Sequence, residues 1–345
     1  MPIVILQACC ALHCIAQGTA ATTPDLPYVL HTLPEARFAI ECGFSPDGRY
    51  LYARHSNGVY YWDVAAGYPE MRHLRGGSGA IAYSPDSTKI VTGGGGRTIT
   101  VHDVRNEFRR TSIPVADEDT FVSALRFSPD GKQLAVGMSR RVALYDFGSG
   151  TKLREFDSPF EQSGFAAQAA FLDRDRLLVR WSTRDDDPFE LTQFDLNTGA
   201  VDRRPFPEID RRCYRFAQSP SGRTIALVAV KGEYADVTAV DVATRKVLWK
   251  TPGAGMATAF SPDERYLALT GYLYEKQPEA TAVRIFRVSD GKLVKNLKQK
   301  RKWFQELEYV RGLAFSPDGT TLATCSSNLP VTLWDWTKIE AELPK

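Results

Sequence analysis

Residues 314–335 read Ala-Phe-Ser-Pro-Asp-Gly-Thr-Thr-Leu-Ala-Thr-Cys-Ser-Ser-Asn-Leu-Pro-Val-Thr-Leu-Trp-Asp. Ser316-Pro317-Asp318-Gly319 divides two short apolar runs, and a third run ends in Trp334 followed by Asp335, which is the pattern of a small antiparallel meander. A unit this short has too little apolar area to offset the entropy of ordering it. Further copies of the pattern are therefore expected in the same chain.

The copies are present. Aligned on the residue before the turn they are Phe44, Tyr83, Phe127, Phe171, Gln218, Phe260 and Phe315, at intervals of 39, 44, 44, 47, 42 and 55 residues. Seven positions on stand Leu51, Ile90, Leu134, Leu178, Ile225, Leu267 and Leu322, an aliphatic residue at one point of each second strand. The third strands close with Trp62-Asp63, His102-Asp103, Tyr145-Asp146, Phe194-Asp195, Val240-Asp241, Phe286-Arg287 and Trp334-Asp335. A period of about 40–45 residues with strands of this kind predicts the blades of a propeller.

In Ser45-Pro46-Asp47-Gly48 the hydroxyl can bond to the backbone ahead, proline presets φ and glycine accepts a positive φ. The turn recurs at Ser84, Ser128, Ser219, Ser261 and Ser316, while the fourth copy, Leu172-Asp173-Arg174-Asp175, keeps the acids and lacks proline and glycine. The Phe-Ser-Pro-Asp-Gly turn, the Trp-Asp ending and the sevenfold period together resemble the WD40-repeat propellers over roughly residues 27–338. TolB-like propellers, which have similar turns, are the nearest alternative. The resemblance implies an all-β, seven-bladed propeller of four-stranded antiparallel blades. The Gly-His pair that precedes the first strands in the family is missing, so the family's network of His, Ser or Thr, and Trp is not expected to carry over.

One closed propeller absorbs nearly the whole 345-residue chain. Residues 1–24 read as an apolar, signal-peptide-like leader, 25–338 as the propeller and 339–345 as a tail. The leader leaves a cytoplasmic and an exported or periplasmic location both open, and its apolar run is too short for a permanent membrane anchor. The last copy has only three strands, so the run from Pro27 to Leu33 is expected to supply its fourth and close the ring, as a monomer. A net charge of +2 does not imply a nucleic-acid or membrane partner. Of six cysteines, Cys42, Cys213 and Cys325 are scattered without metal-ligand spacing and read as buried thiols.

In an up-and-down meander, first-to-second and third-to-fourth turns share one face of the ring, and second-to-third loops and inter-blade crossings share the other. The tight turns fall on the first face, and the long segments 182–191, 272–282 and 298–309 on the second. Variable loops on a rigid scaffold are where binding resides. The expected site is therefore the second face, with Tyr272, Tyr274, Trp303 and Phe304 as aromatic anchors and Arg184 and Asp186 at the rim. Gly93 to Gly96 lacks the Lys and helix of a phosphate loop and reads as a hairpin loop. Asp185 to Asp187 lacks the spacing of a calcium loop. The Lys298–Lys302 charge run beside Trp303 and Phe304 reads as solvated charge over packed aromatics, in preference to a nucleic-acid contact. No catalytic set, cofactor or metal site is assigned. The resemblance implies a non-catalytic scaffold for a protein or peptide partner; a propeller enzyme of lactonase or hydrolase type and an exported TolB-like envelope module are the alternatives.

Overall fold

The computed structural model describes residues 28–33, 39–68, 72–75, 79–115, 120–160, 163–183, 190–209, 213–231, 234–253, 255–270, 281–298, 310–326 and 330–344. Seven four-stranded antiparallel sheets stand in a ring. Their innermost strands are Glu41–Phe44, Ala80–Tyr83, Ala124–Phe127, Ser163–Phe171, Cys213–Gln218, Thr258–Phe260 and Val310–Phe315, and blades one to six run outward from these in chain order. The seventh takes its outer strand from the other end of the chain: Val29–Leu33 pairs antiparallel with Val331–Asp335, as the three-stranded last copy predicts.

The repeat works through cross-strand triplets. Phe44 pairs with Leu51 and Leu51 with Trp62; Phe315 pairs with Leu322 and Leu322 with Trp334. Residues opposed across a sheet share a face, so each triplet presents one apolar surface to the preceding blade. The described residues form seven buried apolar clusters, and each bridges a different pair of neighbouring blades. Closure of the ring is visible in one of them, where Leu33, Ala323, Cys325 and Leu333 of blade seven pack on Cys42, Leu51 and Trp62 of blade one.

Blade four corrects one expectation. Phe171 pairs with Leu177 and not with Leu178, because the Leu172-Asp173-Arg174-Asp175 turn is one residue shorter than the others. The shift sends Leu177 to the cluster shared with blade three and Leu178 to the one shared with blade five, since a step of one residue reverses the face.

The recurring turn is a hydrogen-bond relay. Ser128 Oγ donates to Asp130 Oδ1 (2.6 Å) and accepts from Gln133 N (2.9 Å), while Asp130 Oδ1 also accepts from Lys132 N (3.1 Å). The Ser128 hydroxyl, then the Lys132 N–H, hold the Asp130 carboxyl below its ordinary value. The same relay forms at Ser45, Ser84, Ser261 and Ser316. Gly48 sits at φ +72°, and where the second and sixth copies lack this glycine, Ser87 and Glu264 take the left-handed conformation at φ 58° and 62°. Adjacent turns also touch: Asp47 N donates to Ser87 Oγ (2.9 Å), and Ser221 bonds to Glu264.

Part of the side-chain network survives without the Gly-His pair. Trp334 Nε1 donates to Thr324 Oγ1 (3.0 Å), and His102 Nε2 meets Thr92 Oγ1 at 3.2 Å in the equivalent position of blade two. The threonine stands two residues beyond the aliphatic member of the triplet and needs only the third-strand ring to be satisfied. His102 is therefore structural. Burial, and then the charge of Arg110 opposite it, push its imidazole down to about 4. Because the folded value lies below the unfolded one, the unfolded chain binds the extra proton first on acidification. The stabilisation that His102 contributes is complete above about pH 6.5 and is lost as pH falls toward 4. His102→Trp should remove this component, so the difference in melting temperature between pH 7.5 and pH 5 should be smaller in the variant. An unchanged difference would show that His102 is not the titrating group.

A short helix, Trp336–Ala341, ends the fold, with Asp335 as N-cap accepting from Lys338 N (3.1 Å). Trp336 lies edge-on to Phe315 (4.8 Å) and Tyr266 (5.6 Å), and Ile339 and Leu343 are buried beside it. Glu340 pairs with Arg265. Lys295 donates to Tyr28 Oη (2.9 Å) and, like Tyr28, to Glu342, so the two ends of the described chain and blade six are tied at one point. No helix among the described residues is long and apolar enough to cross a membrane.

Candidate functional site

The second face is built from the ends of the second strands, the starts of the third, and the crossings between blades. All six residues expected to form the site, Arg184, Asp186, Tyr272, Tyr274, Trp303 and Phe304, lie outside the described residues, as do Asp185, Asp187 and Gln299–Lys302. The strands that flank them are described. Residues 184–189 join the second strand of blade four, Arg176–Thr183, to the third, Glu190–Asp195. Residues 271–280 join Tyr266–Thr270 to Thr281–Arg287 in blade six, and 299–309 join Leu293–Lys298 to Val310–Phe315 of blade seven.

Two features of this face escaped the sequence reading. Phe121 and Phe165 are exposed, at 45% and 42%, and they are the exposed aromatic side chains among the described residues. Phe121 sits in the crossing from blade two to blade three, where Thr120 and Phe121 pair with Gly96 and Gly95. The glycine run is thus a hairpin loop, as expected, with an added two-stranded ladder that holds the crossing against it. Phe165 begins the inner strand of blade four, its N–H bonded to Ser182 Oγ (3.0 Å). The other exposed apolar side chains, such as Leu153 and Leu248, lie on outer strands at the rim.

The second feature is a cleft of about 310 Å³ between the start of the third strand of blade four and the crossing to blade five. Leu191, Phe206 and Ile209 line its floor with prolines 205 and 207, and Glu190, Arg203, Arg204 and Glu208 stand among them. The Arg203 guanidinium lies over the Phe160 ring (5.8 Å), joining this crossing to the one before it. An apolar floor with charges of both signs around it suits an anchoring side chain of a partner better than a reacting group. The signal for the cleft was the Arg-Arg-Pro-Phe-Pro run at 203–207, which carries no repeat periodicity.

The described cysteines are free and buried. Cys42 and Cys325 meet across the seam between blades one and seven; their mutual hydrogen bond, then burial, raise the Cys42 thiol well above its ordinary value, and burial pushes Cys213 up to about 12. Such thiols are inert packing groups. Among the described residues no group of three His, Cys, Asp or Glu side chains comes together as a metal site would require.

Comparison with known proteins adds two findings. Residues 111–146 and 298–335 match the family described as WD domain, G-beta repeat. Each match begins in or at the end of the outer strand of one blade and finishes at the third strand of the next, so the sequence repeat is offset from the blade by one strand. That offset is why the last blade must borrow its outer strand from residues 29–33. A stretch of 93 residues is 39% identical to Actin-interacting protein 1 of Drosophila melanogaster, covering 26% of this chain and 15% of that protein. The two repeat matches and the seven-bladed ring fit the WD40 propeller family.

Proposed function

We propose that this protein is a non-catalytic scaffold that holds a protein or peptide partner across its second face. The observation that carries the reading is the pairing of exposed Phe121 and Phe165 with the charged-rimmed cleft at 203–209, on the same face from which the three long segments arise. Large aromatics exposed on the face that also carries a cleft of mixed apolar and charged lining are what partner surfaces use as anchors. The opposite face carries the tight turns, whose serine and aspartate side chains are bound within their own relays, and turn-to-turn bonds at Asp47–Ser87 and Ser221–Glu264. The match to a WD-repeat relative named for its interaction with actin supports a protein partner in kind; the partner of this chain is a separate question.

Tagged wild type is compared in a cross-linking pull-down with Tyr274→Ala/Trp303→Ala and with Phe121→Ala/Phe165→Ala. Both double variants should keep the wild-type melting curve and lose captured protein by about tenfold, as expected when anchors worth about 1.4 kcal/mol or more together are removed. Capture of the same proteins at equal yield by both would mean that the partner sits elsewhere.

A further inference from the structure

The innermost strands carry an imbalance of charge. Arg126 of blade three, Arg215 of blade five and Arg311 of blade seven all lie on strands that border the axis. In the inner two strands of all seven blades the one carboxylate is Glu41, and it is bound to Arg54 (2.9 Å). Several arginines on the first face are paired: Arg176 with Asp173 (2.6 Å), Arg287 with Asp290 (2.7 Å) and Arg265 with Asp263. By contrast, the Nε atoms of Arg215 and Arg311 are buried and have no hydrogen-bond partner among the described residues. A buried guanidinium donor left open in a native fold marks a place where an anion or water belongs.

The side chains that border the axis at one level are small, with the Tyr52 ring standing in the place of a side chain at Gly43. At the level of Arg126, one residue before the first member of each triplet, the other six innermost side chains are Gly43, Ala82, Ala170, Ala217, Ala259 and Ala314. Arg126 is exposed to solvent, yet surrounding protein disfavours its charge, and it is close enough to Tyr52 of blade one for that hydroxyl to act on it. Arg180, on the second strand of blade four, adds a further cation beside Arg215; burial, with a smaller contribution from the Arg215 charge, brings it down to about 10.

The charges are staggered in depth. Arg215 and Arg311 stand two and three residues further from the first-face turn than Arg126, about 7 and 10 Å along the strand. A single tetrahedral anion does not span that depth. We infer that the central channel is a binding site for a small polyanion bearing two or more phosphate groups, held by Arg126, Arg215 and Arg311. The guanidinium fork matches phosphate oxygens two at a time, and the one carboxylate on the described inner strands, Glu41, is already neutralised by Arg54. The inference does not depend on the partner-binding role of the second face.

The test uses inorganic pyrophosphate and tripolyphosphate on the intact chain, by thermal shift and calorimetric titration, against sodium chloride at matched ionic strength. Wild type should melt higher with tripolyphosphate than with pyrophosphate, and least with orthophosphate. The triple variant Arg126→Gln/Arg215→Gln/Arg311→Gln should bind at least tenfold more weakly, whereas Arg49→Gln, at the rim beside Asp63, should bind like wild type. Each of Arg126→Gln and Arg215→Gln alone should weaken binding about threefold, which keeps the test decisive if the triple variant does not fold. No stabilisation of wild type beyond the chloride control, or equal binding by the folded arginine variants, overturns the inference.

Discussion

Deleting residues 25–36 is expected to lower the melting temperature by on the order of 10 °C, or to make the protein aggregate. The deletion removes the strand Val29–Leu33 and with it the backbone ladder to Val331–Trp334. It also takes Leu33 out of the cluster between blades seven and one, and Tyr28 out of the contact with Lys295 and Glu342. Several ladder hydrogen bonds at about 1 kcal/mol each, together with the burial of Leu33 at about 2 kcal/mol, amount to a large share of a typical stability of roughly 5–15 kcal/mol. The strand Val331–Asp335 would then present an open edge lined by apolar side chains, a template for pairing with other chains. Addition of a synthetic peptide of residues 25–36 should restore much of the melting temperature. A truncated protein with the wild-type melting curve would show that this strand does not fasten the ring.

Replacement of Trp334 is the second large effect. Its indole is 1% exposed and completes the triplet with Phe315 and Leu322 at the interface between blades six and seven. Trp334→Ala should cost about 3–5 kcal/mol through the cavity and the lost contacts. It also leaves Thr324 Oγ1 without its indole donor. Trp334→Phe keeps most of the packing and loses that one hydrogen bond, so it should cost about 1–2 kcal/mol. Urea unfolding of both variants separates the two contributions. Equal losses would mean that the hydrogen bond, and not the packed triplet, is what the position supplies.

These two predictions rest on features of different visibility. The deletion could be framed from the chain alone, because a repeat with three strands at one end and an orphan strand at the other has a single economical pairing. The number of blades is legible for a similar reason. Each Ser-Pro-Asp-Gly turn is specified within six residues by proline, glycine and a hydroxyl, so its chemistry is written locally and survives in the order of residues. Even copies that lost the glycine kept the geometry, with Ser87 and Glu264 accepting the left-handed conformation.

Blade four shows where local reading fails. Counting seven residues from Phe171 lands on Leu178, while the ladder selects Leu177, because register follows the pairing across strands and one missing turn residue shifts it. The helix at Trp336–Ala341 is six residues long, and the i, i+3, i+7 spacing of Trp336, Ile339 and Leu343 is too brief a run to stand out in the sequence; it gains its meaning beside Tyr266 and Phe315. The surface site divides in the same way: long segments could be assigned to the second face by alternation, whereas the exposure of Phe121 and Phe165 could not.

The order of residues thus specified the repeat, its turns, the count of seven and the strand that closes the ring, since each depends on neighbours a few positions apart or on simple periodicity. The approach of Tyr52 to Arg126, the meeting of Cys42 with Cys325, and the placing of arginines of blades three, five and seven on strands around one axis depend on residues far apart in the chain. Their proximity arises when the ring closes and brings strands from different blades to a common axis. A linear pattern records which side of its own strand a residue faces, and ring closure determines what stands opposite.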